Sequence, residues 1–237
     1  MLKKLLIVFA SGTVLCIVAL GLGWVIGGKE MHDAILEGGE YSIDFSDKED
    51  ADGPRKSRDF TIDGGQTLAI EVPVDLHFSR GDEAKMVVTG PAEAIDRLVW
   101  TNGRLSIKGP SHRGRALRVT IVAPQIAGLD LEAPGDITLA GLEQDQLRLK
   151  SAGAIDLDAK GKVRQLFVNT EGASSLDLER LAVEDATVRI DGVGSVSIAA
   201  SHLVDVIING AGNVTLHRKP KQLRSEINGV GSIDHDY

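Results

Sequence analysis

From about residue 129 onward, apolar and polar positions alternate in short runs that return at nearly constant intervals. Leu129-x-Leu131 leads through Ala133-Pro134-Gly135-Asp136 to Ile137-Thr138-Leu139. The same unit then recurs: Leu147-x-Leu149 with Ile155-Asp156-Leu157, Val168-x-Thr170 with Leu176-Asp177-Leu178, and Val188-x-Ile190 with Val196-Ser197-Ile198. Val206-x-Ile208 with Val214-Thr215-Leu216 follows, and Ile227 with Ile233-Asp234-His235 closes the series. The anchors Ile137, Ile155, Leu176, Val196, Val214 and Ile233 follow one another at spacings of 18, 21, 20, 18 and 19. Within each unit, the last inward residue of the first run precedes its anchor by a constant six positions.

A period of two puts successive side chains on opposite faces of a strand. One unit of ~19 residues cannot bury its apolar face alone, whereas stacked units share a continuous aliphatic core. The spacing therefore predicts an all-β fold, a parallel β-helix (β-solenoid) of about 18–21 residues per coil, right-handed by the usual crossover preference. Glycine at the turns (Gly192-Val193-Gly194, Gly210-Ala211-Gly212, Gly229-Val230-Gly231) is expected to supply positive φ and to let stacked turns pass one another. Asn209 and Asn228 fall at the same point of successive coils, where their amides can stack as a ladder. Because His235 takes a slot that is apolar in the other units, the last coil reads as an end.

Residues 60–123 carry a less regular version. Leu68–Val72, Val74–Phe78, Ala84–Thr89 and Leu117–Ile121 read as strands. Pro91–Leu98 reads as a short helix with proline in its first turn, and Asn102-Gly103 as a hairpin turn between Trp100 and Leu105. This part is expected to cap the first end of the stack.

A different pattern opens the chain. After Lys3 and Lys4, an uncharged run extends from Leu5 to Gly28. As a helix it would be about 36 Å long, enough to cross a hydrocarbon layer. A cleaved signal has a shorter apolar region, so an anchor is the better reading; Ala19-Leu20-Gly21 leaves cleavage open. Residues 29–57 are polar and acidic and read as a linker. The expected organisation is thus 1–28 anchor or signal, 29–57 linker, 58–125 irregular capping region and 126–237 regular coils.

Composition sharpens this picture in two places. Glycine is abundant (27 in all) and aromatics are only 4%, as expected when small residues mark the turns and coil interiors leave little room for rings. The net charge is −8, and without residues 1–28 the body carries 24 basic against 34 acidic side chains, or −10. An acidic body without a basic stripe argues against nucleic-acid binding. The single cysteine, Cys16, lies in the apolar run, which leaves the body without disulfides or thiolate ligands.

The repeated Gly-x-Gly-x-aliphatic units, above all Ile208-Asn209-Gly210-Ala211-Gly212 and Ile227-Asn228-Gly229-Val230-Gly231, together with Phe60 and the Gly90–Ile107 stretch, resemble the bacterial family labelled "putative autotransporter adhesin, head GIN domain". The resemblance covers about residues 60–236 and departs at Ser174, which stands where other units have the second glycine. It implies a β-helical envelope domain with an adhesion-like role and supplies no catalytic residues.

Candidate chemistry is sparse. Thr138, Asp156, Asp177, Ser197, Thr215 and Asp234 form an outward column, a candidate face for a cation or a sugar; the competing reading is a solvated face that aids solubility. A lyase would add a Lys or Arg base, for which Arg148 and Lys150 are available without a tight acidic cluster. Arg80-Gly81-Asp82 reads as a strand-ending turn. The histidines lack metal-ligand spacing, and no motif calls for a cofactor. The function expected is a non-enzymatic protein of the bacterial cell envelope, anchored through residues 5–28 with a periplasmic or extracellular body. Its partner would be an envelope protein, a glycan or a second copy through the terminal coil. A glycan-binding or polysaccharide-lyase-like β-helix is the alternative.

Overall fold

The structure is a computed structural model that describes residues 54–109 and 116–237. The apolar run at 5–28 and the acidic stretch up to residue 53 lie outside the described residues. Among those described, no helix is long and apolar enough to cross a membrane.

The regular part is a β-solenoid of about five turns. Four long strands, β9 (Gly135–Ser151), β10 (Ala154–Thr170), β11 (Ala173–Ile190) and β12 (Val193–Ile208), each contribute two limbs to successive coils. Register irregularities near Gly161, Leu178 and Val183 mark the junction of the limbs. At Gly161 the backbone has φ 140°, and a Cβ there would lie 2.2 Å from the Leu142 carbonyl oxygen. In the first-limb stack, β7 (Leu117–Ala123), β3 (Val74–Arg80), the starts of β9–β12, β13 (Ala211–Leu216) and β15 (Val230–His235) pair in parallel. The second-limb stack is also parallel: β6 (Arg104–Ile107), β2 (Thr67–Ile70), β8 (Gly128–Leu131), the ends of β9–β12 and β14 (Gln222–Ile227). Inward aliphatics from both stacks, such as Leu139, Leu157, Val188 and Ile198, form the core.

The register corrects the second unit. Ile137 pairs with Leu157, not Ile155, so the anchor column runs Ile137, Leu157, Leu176, Val196, Val214, Ile233, with spacings of 20, 19, 20, 18 and 19. The slip has a physical cause. Ser151 is polar yet points inward, 3% exposed, with its hydroxyl 2.6 Å from that of Ser174. Hydropathy alone takes Leu149 as the last inward residue, whereas Ser151 holds that slot beside Leu131 and Thr170. Counted from Ser151, the six-position gap to the anchor is kept.

Of the two roles expected of the turn glycines, the structure shows one. Positive φ among the described residues is confined to Asn102, Gly65, Gly103, Gly109, Gly141 and Gly161. The stacked turn glycines serve close approach instead: a Cβ on Gly192 would lie 2.1 Å from the Gly172 carbonyl oxygen, and one on Gly210 would lie 1.8 Å from that of Gly192. No side chain fits there, so each turn rests directly on the backbone below.

At the first end, chain order and stacking order part company. The chain makes the β2–β3 coil, leaves through β4 (Lys85–Pro91), α1 (Ala92–Asp96) and β5 (Leu98–Thr101), and returns as β6–β7 on the far side of β2–β3. Only then does β8 resume the stack above β2. The hairpin β5–β6 turns at Asn102 and Gly103, whose φ angles of 52° and 76° are both positive. An Asn-Gly turn favours that pair. Outside β7, the antiparallel strands β4 and β1 (Arg55–Thr61) finish the sheet. β1 begins at Arg55, so the strand region starts inside the stretch expected to be linker. Phe60, Phe78 and Trp100 sit in this end, with Phe60 and Trp100 at 6.2 Å between centroids. The interiors of the regular coils hold aliphatic side chains and no ring among the described residues.

Candidate functional site

The side of the first-limb stack carries two outward columns. One runs Thr138, Asp158, Asp177, Ser197, Thr215, Asp234. Five of the six residues expected there are present, and Asp158 replaces Asp156 because of the register described above. Two of its acids are engaged within the chain. Asp158 pairs with Arg180, and Asp177 accepts a hydrogen bond from the Glu179 amide at 3.1 Å. The Asp158 hydrogen bond, then its charge, and more weakly those of Asp177 and Glu179, hold the Arg180 guanidinium above its usual range.

Asp156 belongs to the neighbouring column: Asp136, Asp156, Ser175, Ser195, Asn213, Ser232. From Asp136 to Asn213 this column borders an open groove of about 720 Å³ that follows the stack across several coils. Small residues make its floor, Ala154, Ala173, Gly194, Ala211 and Gly212 among them, and Val193 stands 62% exposed within it. At the far end, Ser232 donates to Asn213 Oδ1 at 2.5 Å, and Asn213 Nδ2 donates to Thr215 at 3.3 Å. Hydropathy reading passes over this column, although its signal is present. The residue immediately before each anchor is Asp, Asp, Ser, Ser, Asn and Ser in turn, once Leu157 is taken as the second anchor.

A third line of polar groups runs along the turns. Asn228 donates to Asn209 Oδ1 (3.1 Å), and Asn209 donates to Asp191 Oδ1 (2.6 Å), so the expected amide ladder exists and is extended by a carboxylate. Hydrogen bonds from Arg189 first and Asn209 second lower the Asp191 pKa below the ordinary carboxylate value.

Other singled-out residues lie apart from the groove. Arg148 and Lys150 are on the second limb, where Arg148 lies 5.7 Å over the Phe167 ring and Lys150 is 3.4 Å from Glu171. They are not brought to the outward acids. Arg80-Gly81-Asp82 opens the β3–β4 turn, with Arg80 paired to Glu143 and the Gly81 amide donating to the Ala123 carbonyl at 3.1 Å. His77, His202 and His217 each face one carboxylate, from Asp75, Asp185 and Asp236 respectively. His32 and His112 fall outside the described residues. Among the described residues, no group of three or more His, Cys, Asp or Glu could hold a metal ion.

Two solved structures are similar to this chain, and the first of them shares its architecture. A "putative adhesin" from Bacteroides fragilis is 17% identical, with a TM-score of 0.63, over 77% of this chain and 97% of that one. A second "putative adhesin", from Parabacteroides merdae, is 13% identical with a TM-score of 0.45, over 77% of this chain and 96% of its own. No curated protein sequence matches this chain. The family model described as "Putative auto-transporter adhesin, head GIN domain" matches residues 66–220, from just before β2 to just before β14. On that match the chain belongs to the head GIN domain family.

Proposed function

We propose that the protein is a non-enzymatic component of the bacterial cell envelope whose groove-bearing side is an adhesion-like or scaffold binding surface. The observation that carries this reading is the column from Asp136 to Asn213 with its small-residue floor. Groups repeated at the strand spacing of ~4.8 Å suit an extended partner that can register along several coils. The family's description and that of the Bacteroides fragilis structure, both of which speak of adhesins, support the same reading. The apolar run at 5–28 supports a single membrane anchor with the body outside the cytoplasm, since Lys3 and Lys4 would stay inside.

A pull-down from intact envelope and a glycan array, both with the full chain in detergent, test the surface. Capture should be lost in Ser195→Arg, which fills the groove from an exposed position while leaving the core intact. Reproducible cleavage of a polysaccharide by the wild-type chain would overturn the non-enzymatic reading.

A further inference from the structure

The last coil differs from every coil before it. β14 has one paired neighbour, β12, and its other edge carries unpaired backbone groups among the described residues. Leu223 and Ile227 stand in the columns of Val204 and Ile208, which are fully buried, yet they are 37% and 43% exposed. β15 likewise has one paired neighbour among the described residues, β13, and its other contacts run to that side or within the strand. The Asp236 amide donates to the Leu216 carbonyl at 2.9 Å, and its carboxylate lies 3.3 Å from His217. The Tyr237 ring meets His235 edge-on at 5.4 Å. An exposed strand edge of this kind is a template for pairing.

We propose that a second copy of this chain pairs antiparallel with β14, end to end, about a two-fold axis through Ser225. The strand's own sequence selects a second copy as its occupant. Gln222-Leu223-Arg224-Ser225-Glu226-Ile227 is self-complementary about Ser225. A two-fold rotation sets Arg224 opposite the partner's Glu226, and Leu223 opposite the partner's Ile227, each contact occurring twice. The parity is also right. Leu223, Ser225 and Ile227 continue inward columns, so the apolar pairs extend the core, while Arg224 and Glu226 meet on the solvent side. A slip of one residue would set inward side chains of one copy against outward ones of the other. Glu226 accepts from Asn228, at 2.9 Å, and Arg224 donates to the Gln222 amide oxygen at 3.2 Å when that amide is oriented to accept, so among the described residues neither charge has an opposite charge bonded to it.

Full-length chain in detergent, carrying Cys16→Ser to remove the native thiol, provides the test. Sedimentation should show a monomer–dimer equilibrium. Ser225→Cys in that background should give a disulfide-linked dimer on mild oxidation, because the two side chains face each other at the axis. Arg224→Glu places like charges opposite each other twice and should weaken dimerisation about tenfold. Adding Glu226→Arg to that variant should restore it. Both variants share the new carboxylate beside Asp205, so a local folding defect predicts no rescue. A chain that stays monomeric at high concentration overturns the proposal, as does a dimer indifferent to the charge swap and without the cross-link.

Discussion

The solenoid finishes in opposite ways at its two ends. At the first, the parallel stack gives way to antiparallel strands: β4 and β1 cover one limb, β5 covers the other, and α1 lies against β4 and β1. The β1 edge is charged and tied down. Lys56 reaches Asp96 at 2.7 Å, Asp59 reaches Lys85 at 2.7 Å, and Arg58 both donates to the Leu98 carbonyl at 2.8 Å and lies 4.9 Å over the Phe60 ring. At the other end, β14 and β15 keep the parallel pattern of the coils before them, with Leu223, Ile227 and Val230 exposed. Stacking by repetition gives a regular interior, but each coil presents the same unsatisfied edge as the one before. Closing the stack takes a segment that breaks the repeat, and among the described residues such a segment lies at the first end.

The sharpest way to break this comparison is to set equivalent glycines inside the stack and at its last coil side by side. A Cβ on Gly210 or on Gly229 would lie 1.8 Å from a carbonyl oxygen of the coil below. Gly210→Ala must lift a coil that supports another, and should cost more than about 4 kcal/mol or prevent folding. Gly229→Ala can splay the terminal coil and should cost markedly less. Equal losses in denaturant unfolding would contradict the difference between interior and end.

Core truncation sharpens the contrast between the ends themselves. Leu105 is fully buried in the β5–β6 hairpin, so Leu105→Ala should cost about 2–5 kcal/mol. Leu223→Ala should stay below about 1 kcal/mol in the monomer. A comparable cost at both sites, measured by urea titration, would mean that the last coil is sealed.

Smaller effects are expected from the polar groups inside the turns. Ser174→Ala strands the buried Ser151 hydroxyl and should cost about 1–3 kcal/mol. By contrast, Thr170 Oγ1 is buried without a partner among the described residues, so Thr170→Val should be neutral or stabilise by up to about 1 kcal/mol. Melting curves of the two variants check both signs. The least effect belongs to Asp191, which lies exposed on the ladder. Its folded pKa is below the ordinary value, so its contribution is complete above the ordinary carboxylate range and is lost as pH falls through the folded value. Asp191→Asn should remove a small part of the acid-side slope in a pH series of melting curves.

Much of the regular stack was legible because each of its coils contacts only its neighbours, so one spacing repeats. Ser151 defeated that reading at one coil, where a buried hydroxyl pair hides an inward slot that hydropathy assigns to solvent. At the first end the elements from β2 to β7 are legible one by one, down to the Asn102-Gly103 turn, whereas β1 begins in a polar stretch that reads as linker. That β6–β7 stacks on the far side of β2–β3 could not be read, because local alternation does not say which coil a strand joins. For the candidate site, the sequence points to the side of the molecule that also carries the groove. It named the column whose acids bond within the chain rather than the column beside the small-residue floor, since a groove arises from which positions lack side-chain bulk.

Amide hydrogen exchange on dilute, monomeric protein tests the two-ended account most directly. Protection should be high through β3, β7 and the long strands β9–β12, should remain substantial in β4, and should collapse in β14 and β15. If β14 amides exchange as slowly as those of β12 in the monomer, the far end is closed and the account is wrong.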